Sequence, residues 1–355
     1  MKITIMTGAR PNFIKVAPLI KAINNAKNAG ENVDYTLIYA GSNSDRTLET
    51  SLFDDLQIPR PDVFLGVDSQ DTTEITSRVM AQMEQYLSAN PCDVIIVVDD
   101  LASTMAAAIV AKKHGIRLAH LVAGTRSFDI NMPKEINRLV IDGLSDFLFT
   151  AGSGIGTTAN PAKIYEVGNI LMDTLRQNIA RFQRPQFLID KSIADNDYIV
   201  LTINRKALIS SDEKMKAMLE AIAAKSAGLP IIAPLRKEAK EMTEKLGIDG
   251  IIFVEPLSYL EFGYLTSHAR VIITDSGNIA EEATFHGIPC ITLNNYTEHI
   301  ETVKQGTNVL VNEDASLLAE TLESILAGNV KQASIPDRWD GRTAERILHT
   351  LMGQM

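Results

Sequence analysis

Residues 271–283 read Val271-Ile-Ile-Thr-Asp-Ser-Gly-Asn-Ile-Ala-Glu-Glu-Ala283. Three β-branched residues run into the polar turn Thr274-Asp-Ser-Gly-Asn278, and a helix-forming segment follows at once. That order predicts strand, tight turn and helix N-terminus. Such a corner collects unpaired backbone N–H groups and the positive end of the helix dipole, so an anion, most often a phosphate, is its natural occupant. Glu281 and Glu282 fall one turn into the helix, within reach of hydroxyls on whatever carries the phosphate. The competing reading is that Asp275 or Ser276 only caps a helix whose acidic turn complements its dipole. Corners of this kind recur throughout α/β proteins, and spacing leaves both readings open.

The same alternation extends in both directions. Upstream lie strands at Tyr198–Thr202, Pro230–Ala233 and Ile251–Val254, separated by helices at Ser211–Ala227, up to Leu246, and Tyr259–His268. Downstream come a strand at Pro289–Leu293, another at Asn308–Val311 and a helix at Ala315–Leu326. The first half repeats the pattern with strands at Lys2–Met6, Tyr35–Tyr39, Asp93–Val98, Leu118–Val122 and Phe147–Phe149. Val94-Ile-Ile-Val-Val98 is apolar without interruption, as a central parallel strand covered on both faces must be. Two such halves predict an α/β chain of two Rossmann-like doubly wound domains facing across a cleft. The expected division is 1–170 and 171–355, with the last helix, Thr343 to Leu351, a candidate to pack back on the first domain.

At 355 residues and 45% apolar content the chain suits two domains with ordinary cores. A net charge of −10 argues against nucleic acid and anionic membranes as partners, since both are held by clustered Lys and Arg. No apolar run approaches the roughly 18 residues that span a bilayer, and Met1-Lys-Ile-Thr-Ile reads as a strand rather than a signal peptide, so a cytoplasmic location is expected. Cys92 and Cys290 lack metal-ligand spacing and read as small buried hydrophobes. No metal constellation is visible in the spacing, and no cofactor is expected.

Several turns carry chemistry-bearing residues. Thr7-Gly-Ala-Arg-Pro11 places Arg10 at a strand's carboxyl end beside a helix N-terminus, where open α/β sheets bind ligands. Asp99-Asp100 ends the buried strand. Adjacent acids there are costly unless they cap, pair or react; capping the following helix would account for one, and the second leans functional. Met132-Pro-Lys-Glu-Ile-Asn-Arg138 opens a helix with Glu135 and Arg138 in its first turns. Gly152, Gly154 and Gly156 have the wrong spacing for a dinucleotide fingerprint. His120 lies within a strand and suits a core role, whereas His299 follows Thr297-Glu298 at a strand's carboxyl end.

Taken together, Gly8-Ala-Arg-Pro11, Asp100 with Ser103-Thr104, His120–Asp129, Pro133–Arg138, Val167-Gly-Asn169, Met172–Leu175, Pro256–Tyr259, Thr274-Asp-Ser-Gly277 with Glu281-Glu282, Thr297-Glu298 and Trp339-Asp-Gly341 resemble the non-hydrolysing UDP-N-acetylglucosamine 2-epimerases over essentially the whole chain. The resemblance implies a glycosyltransferase-B-like architecture, a homodimer, a UDP-sugar as the small-molecule partner, and interconversion of UDP-GlcNAc and UDP-ManNAc by elimination and re-addition of UDP. It implies catalytic roles for Asp100 and Glu135. It also implies substrate or UDP contacts for Arg10, Arg138, Arg205, Arg236, Ser276, Gly277, Glu282 and Glu298, with Glu282 at the ribose.

The chain departs from the family's pattern at several of its proton-transfer and charge positions. Val122 stands where a glutamate precedes Ala-Gly. Thr202-Ile-Asn-Arg-Lys206 replaces Thr-x-His-Arg-Arg, and Asn204 does not carry protons near neutral pH as a histidine does. Arg236-Lys-Glu-Ala239 replaces His-x-Asn-Pro, Thr297-Glu-His-Ile-Glu301 replaces Thr-Glu-Arg-Pro-Glu, Asn294 stands for an arginine and Asp99 for a glycine. The expectations that follow are a divergent epimerase, a silent sugar-nucleotide binder, or a transferase or hydrolase acting on another nucleotide sugar. Loss of a general acid or base costs about 10²- to 10⁴-fold in rate.

Overall fold

The computed structural model describes residues 1–152, 163–204, 208 and 211–354. Arg205 and the glycines at 154 and 156 lie outside the described residues. The chain divides into two compact units, Met1–Gln177 with Asp337–Met355, and Asn178–Pro336. The expected division at 170 falls at the start of a helix that stays with the first unit as far as Gln177.

Unit 1 runs β1 (Lys2–Thr7), α1 (Arg10–Asn28), β2 (Asp34–Tyr39), α2 (Thr50–Leu56), β3 (Val63–Phe64), α3 (Thr72–Ala89), β4 (Val94–Val98), α4 (Ala102–Lys113), β5 (Arg117–Leu121), α5 (Pro133–Leu144), β6 (Phe147–Thr150), β7 (Ile164–Glu166) and α6 (Ile170–Asn178). Its seven strands are parallel in the order β3-β2-β1-β4-β5-β6-β7. Every residue of β4 is buried, as its unbroken apolar run predicts. Ile5 aligns with Leu37 on one side and Ile96 on the other. Ala106, Ala107, Ala108 and Ala111 let α4 lie close against the sheet in one core with Met6, Ile38 and Val97.

Unit 2 contains α7 (Gln186–Asp190), β8 (Ile199–Thr202), α8 (Asp212–Lys225), β9 (Ile231–Ala233), α9 (Lys237–Leu246), β10 (Ile251–Phe253), α10 (Tyr259–Ser267), β11 (Val271–Thr274), α11 (Gly277–His286), β12 (Cys290–Thr292), α12 (Ile300–Lys304), β13 (Asn308–Leu310) and α13 (Ala315–Leu326). Its sheet, also parallel, runs β10-β9-β8-β11-β12-β13. The strands show the two-residue period of a sheet buried on both faces. Ile199, Leu201, Ile273 and Ile291 fill one core, while Val200, Ile232, Ile272 and Cys290 fill the other. Cys290 is thus the buried hydrophobe expected.

The last helix, α14 (Thr343–Gly353), belongs to unit 1 and packs on α1. Asp173 of α6 fixes its start by accepting from the Thr343 and Ala344 amides at 3.1 and 2.8 Å. In both sheets the chain leaves the middle in opposite directions, between β1 and β4 and between β8 and β11. Crevices at the carboxyl ends of such strand pairs are where doubly wound sheets bind ligands.

Candidate functional site

In unit 1 the switch point carries a buried lattice of charge. β4 ends in Asp99 and Asp100, and neither caps α4, whose N-cap is Leu101 without a side-chain cap bond. The capping expectation is therefore corrected: both acids are paired. Asp99, held at φ 58°, accepts from Lys15 Nζ at 2.6 Å and Asn12 Nδ2 at 2.7 Å. Asn12 in turn accepts from the Gly8 and Ala9 amides at 2.8 and 3.1 Å, which ties the turn before α1 to the end of β4. Gly8 is required here, because a Cβ would stand 2.1 Å from Ser103 Oγ. Arg10 is the half-buried first residue of α1, beside this turn.

Asp100 and Glu135 meet at Arg138. The guanidinium bonds Asp100 through Nε at 2.8 Å and Nη2 at 2.5 Å, and Glu135 through Nη1 at 3.2 Å. Lys134 Nζ stands 3.6 Å from the other Asp100 oxygen, and the Asp100 carbonyl accepts from Asn137 Nδ2 at 2.8 Å. Burial pushes the Asp100 carboxyl up, but Lys134 and Arg138 outweigh it and hold the group below its ordinary range. Burial acts the same way on Glu135 and is outweighed by the Ser127 amide and hydroxyl, at 2.8 and 2.9 Å, together with Arg138. Both are therefore ionised at neutral pH and suited to take a proton rather than to supply one. The Asp100 side chain keeps 14% of its surface exposed and Glu135 only 4%, so Asp100 is the more accessible of the two.

His120 is a core residue: Nδ1 lies 2.5 Å from Asp142 Oδ1, and Nε2 lies 3.0 Å from the Asp99 carbonyl. Asp142 also binds Arg126 Nη2 at 2.6 Å. Val122, just past β5, adopts φ 69°, a left-handed conformation that a β-branched residue rarely takes.

In unit 2 the corner at 274–278 is strand, turn and helix as read. Ser276 is the N-cap of α11 yet makes no side-chain cap bond. Asp275 turns instead to the neighbouring strand end, accepting from the Asn204 amide at 2.7 Å, while its carbonyl accepts from Asn294 Nδ2 at 3.0 Å. The Ser276 side chain therefore does not act as the capping alternative requires. Thr274 accepts from the Ser276 amide at 3.0 Å and pairs with Thr202 across β8 at 2.7 Å, so the turn is held to both central strands. Gly277 is needed for space: a Cβ there would lie 2.7 Å from His299 Cδ2.

Glu282 is buried in the second turn of α11, and burial followed by the adjacent Glu281 pushes its carboxyl up to about 8. A protonated carboxyl of that kind can both donate to and accept from a vicinal diol. Glu298 is half-buried, in the loop leading to α12. Arg236 is exposed at the N-cap of α9, past the end of β9. The structure thus gathers Asp100, Glu135 and Arg138 into one cluster, and Ser276, Gly277 and Glu282 onto one helix start.

Spacing missed one grouping. His299, the N-cap of α12, places Nδ1 2.9 Å from Glu281 Oε1 and 3.8 Å from Glu301 Oε1. The partners lie on two helices, and only the strand and loop between them bring His299 to α11.

Residues 25–352 match the family model described as UDP-N-acetylglucosamine 2-epimerase. A UDP-N-acetylglucosamine 2-epimerase of Methanocaldococcus jannaschii is 32% identical over 368 aligned positions, covering 99% of each chain. The crystal structure of the M. jannaschii enzyme in complex with UDP-GlcNAc and UDP superposes with a TM-score of 0.85, covering 99% of this chain and 100% of that one. A UDP-2,3-diacetamido-2,3-dideoxy-D-glucuronate 2-epimerase of Pseudomonas aeruginosa is 29% identical, over 93% of this chain and 94% of that protein. The glycosyltransferase-B-like fold with two parallel-sheet units is the one these structures share.

Proposed function

The chain belongs to the UDP-N-acetylglucosamine 2-epimerase family, and from that premise we propose that it interconverts UDP-GlcNAc and UDP-ManNAc. The proton on C2 leaves as the C1–O bond to UDP breaks, giving a glycal and free UDP. Return of a proton to the opposite face of C2, with UDP re-adding at C1, completes the inversion. The observation that carries this reading is the pairing of Asp100 and Glu135 through Arg138 at the unit 1 switch point. Asp100, ionised and the more exposed, takes the C2 proton; Glu135 holds Arg138 and Ser127 in place and is the second acid–base candidate.

In unit 2, Ser276 and Gly277 offer helix-start amides to the diphosphate and Glu282 its carboxyl to the ribose. Arg10, Arg138, Arg205, Arg236 and Glu298 are the further contacts to substrate or UDP. Retention of UDP through the glycal stage depends on donors that are in place before the bond breaks. The test is deuterium incorporation at C2 during incubation of UDP-GlcNAc in heavy water. Incorporation together with UDP-ManNAc is expected, and a chain that binds UDP-GlcNAc without exchanging C2 overturns the reading.

A second reading is favoured by Val122 and Asn204, which remove two of the family's proton-carrying positions: a silent sugar-nucleotide binder. Calorimetric binding without exchange identifies it. We further propose a cytoplasmic homodimer. No helix among the described residues is long and apolar enough to cross a membrane. Phe128, Ile130, Ile136 and Leu139 expose an apolar patch before and along α5, with Phe128 79% accessible, of the sort that marks an association surface. Light scattering of the purified chain decides the dimer.

A further inference from the structure

One cluster beside the proposed nucleotide corner has no assigned role in the chemistry proposed above. In unit 2, Glu281 Oε1, His299 Nδ1 and Glu301 Oε1 offer three ligand atoms all within 4.8 Å of one another. We propose that Glu281, His299 and Glu301 form a binding site for a divalent transition-metal cation, zinc foremost. Zinc bound tetrahedrally to nitrogen and oxygen at about 2.0–2.2 Å sets its ligand atoms about 3.4 Å apart. The separations from His299 Nδ1, 2.9 Å to Glu281 and 3.8 Å to Glu301, bracket that value. A mixed imidazole and carboxylate set selects zinc and neighbouring first-row ions over magnesium, which favours oxygen alone.

The histidine is held before any ion arrives. Its carbonyl accepts from the Thr302 amide at 3.0 Å and the Thr302 hydroxyl at 2.7 Å. Asn308 Nδ2 reaches that hydroxyl at 3.2 Å, and Asn308 Oδ1 accepts from Thr292 at 2.7 Å, so the chain of bonds ends on the paired strands β12 and β13. The His299 amide meets Thr297 Oγ1 at 3.1 Å. These bonds fix the backbone from which the His299 ring projects.

His299 and Glu301 side chains are 14% and 28% exposed, which gives an ion a way in and leaves coordination positions for water, whereas Glu281 is 4% exposed and forms the floor. The same static contacts would arise from an imidazolium held between two carboxylates, and the experiment separates the two.

The full chain, stripped with a chelator and free of nucleotide, is titrated with Zn2+ by calorimetry and with Co2+ by visible absorption. One equivalent per chain is expected, with Co2+ giving the d–d bands of a four- or five-coordinate site. Glu301→Gln and His299→Gln should each weaken Zn2+ at least tenfold and remove the bands. Glu301 is accessible enough that its variant keeps the fold, which circular dichroism checks. Absence of saturable uptake overturns the proposal, as does binding that both variants leave unchanged. With no nucleotide present, the result bears on the metal site alone and not on the epimerase reading.

Discussion

Arg138 donates two hydrogen bonds, from Nε at 2.8 Å and Nη2 at 2.5 Å, to the same carboxylate oxygen of Asp100. The arrangement leaves the second Asp100 oxygen toward Lys134 and solvent, so half of the carboxylate is committed to position and half remains for chemistry. Asp100→Asn should lower C2 deuterium exchange by about 10²- to 10⁴-fold. UDP affinity, read by calorimetry, should change little. Equal loss of both would show that Asp100 serves binding rather than proton transfer.

Arg138 itself is 2% exposed and serves two buried acids. Arg138→Met strands both charges, and breaking a buried pair from one side costs about 3–5 kcal/mol. Denaturant titration should show the loss in unit 1, with unit 2 keeping its own midpoint. Unchanged stability of unit 1 would mean that water reaches and solvates the two carboxylates.

Acid should find unit 1 first. Asp100, Glu135 and Asp142 all sit below their ordinary values when folded, because neighbouring cations and hydrogen bonds outweigh burial. Between the folded and unfolded values the unfolded chain holds more protons, so stability rises with pH there. The contribution is complete above the unfolded range of about pH 4 and drains away as pH falls through the folded values. Denaturation of unit 1 followed from pH 7 to pH 2 should show no loss of stability above about pH 4 and a fall below it. A fall beginning near pH 6 would point to other groups.

Val122 pays a conformational penalty at φ 69°. Strain of this class is worth about 1–3 kcal/mol, and glycine adopts the angle without it. Val122→Gly should therefore raise the thermal midpoint of the unit by a few degrees, whereas Val122→Ile should not. Calorimetric melting of both variants settles the matter, and a lowered midpoint for the glycine variant would mean that packing of the valine side chain exceeds its strain.

Gly277→Ala puts a methyl group 2.7 Å from the His299 ring at the start of α11. Displacing that ring distorts the corner, so UDP affinity should fall about tenfold or more while the melting temperature moves little. Affinity equal to wild type would remove the corner from the nucleotide site.

The parts of the fold that were legible in sequence are those in which local chemistry and long-range packing agree. Val94–Val98 had to be central because nothing in it tolerates water, and the Thr274–Asn278 turn announced its corner by residue type. Periodicity gives no signal for α2 and β3, because they have only seven and two residues. β7, three residues long, was missed for the same reason. Among the candidate site residues, Asp99 and Asp100 stood out as a costly pair. Their partners did not, since Lys15 lies on α1, 84 residues from Asp99, and Arg138 lies on α5, 38 residues from Asp100. Side-chain pairing at that separation is written in topology, and the Glu281–His299–Glu301 grouping was hidden in the same way.

The docking of α14 against α1, fixed by Asp173 at the Thr343 and Ala344 amides, has a consequence for biosynthesis. All of unit 2 is synthesised before α14, so unit 2 needs nothing from α14 to fold, while unit 1 waits with one face of α1 uncovered. The first unit begun is the last one finished. A released chain truncated at Pro336 should protect β8–β13 from protease, yet leave α1 open to cleavage.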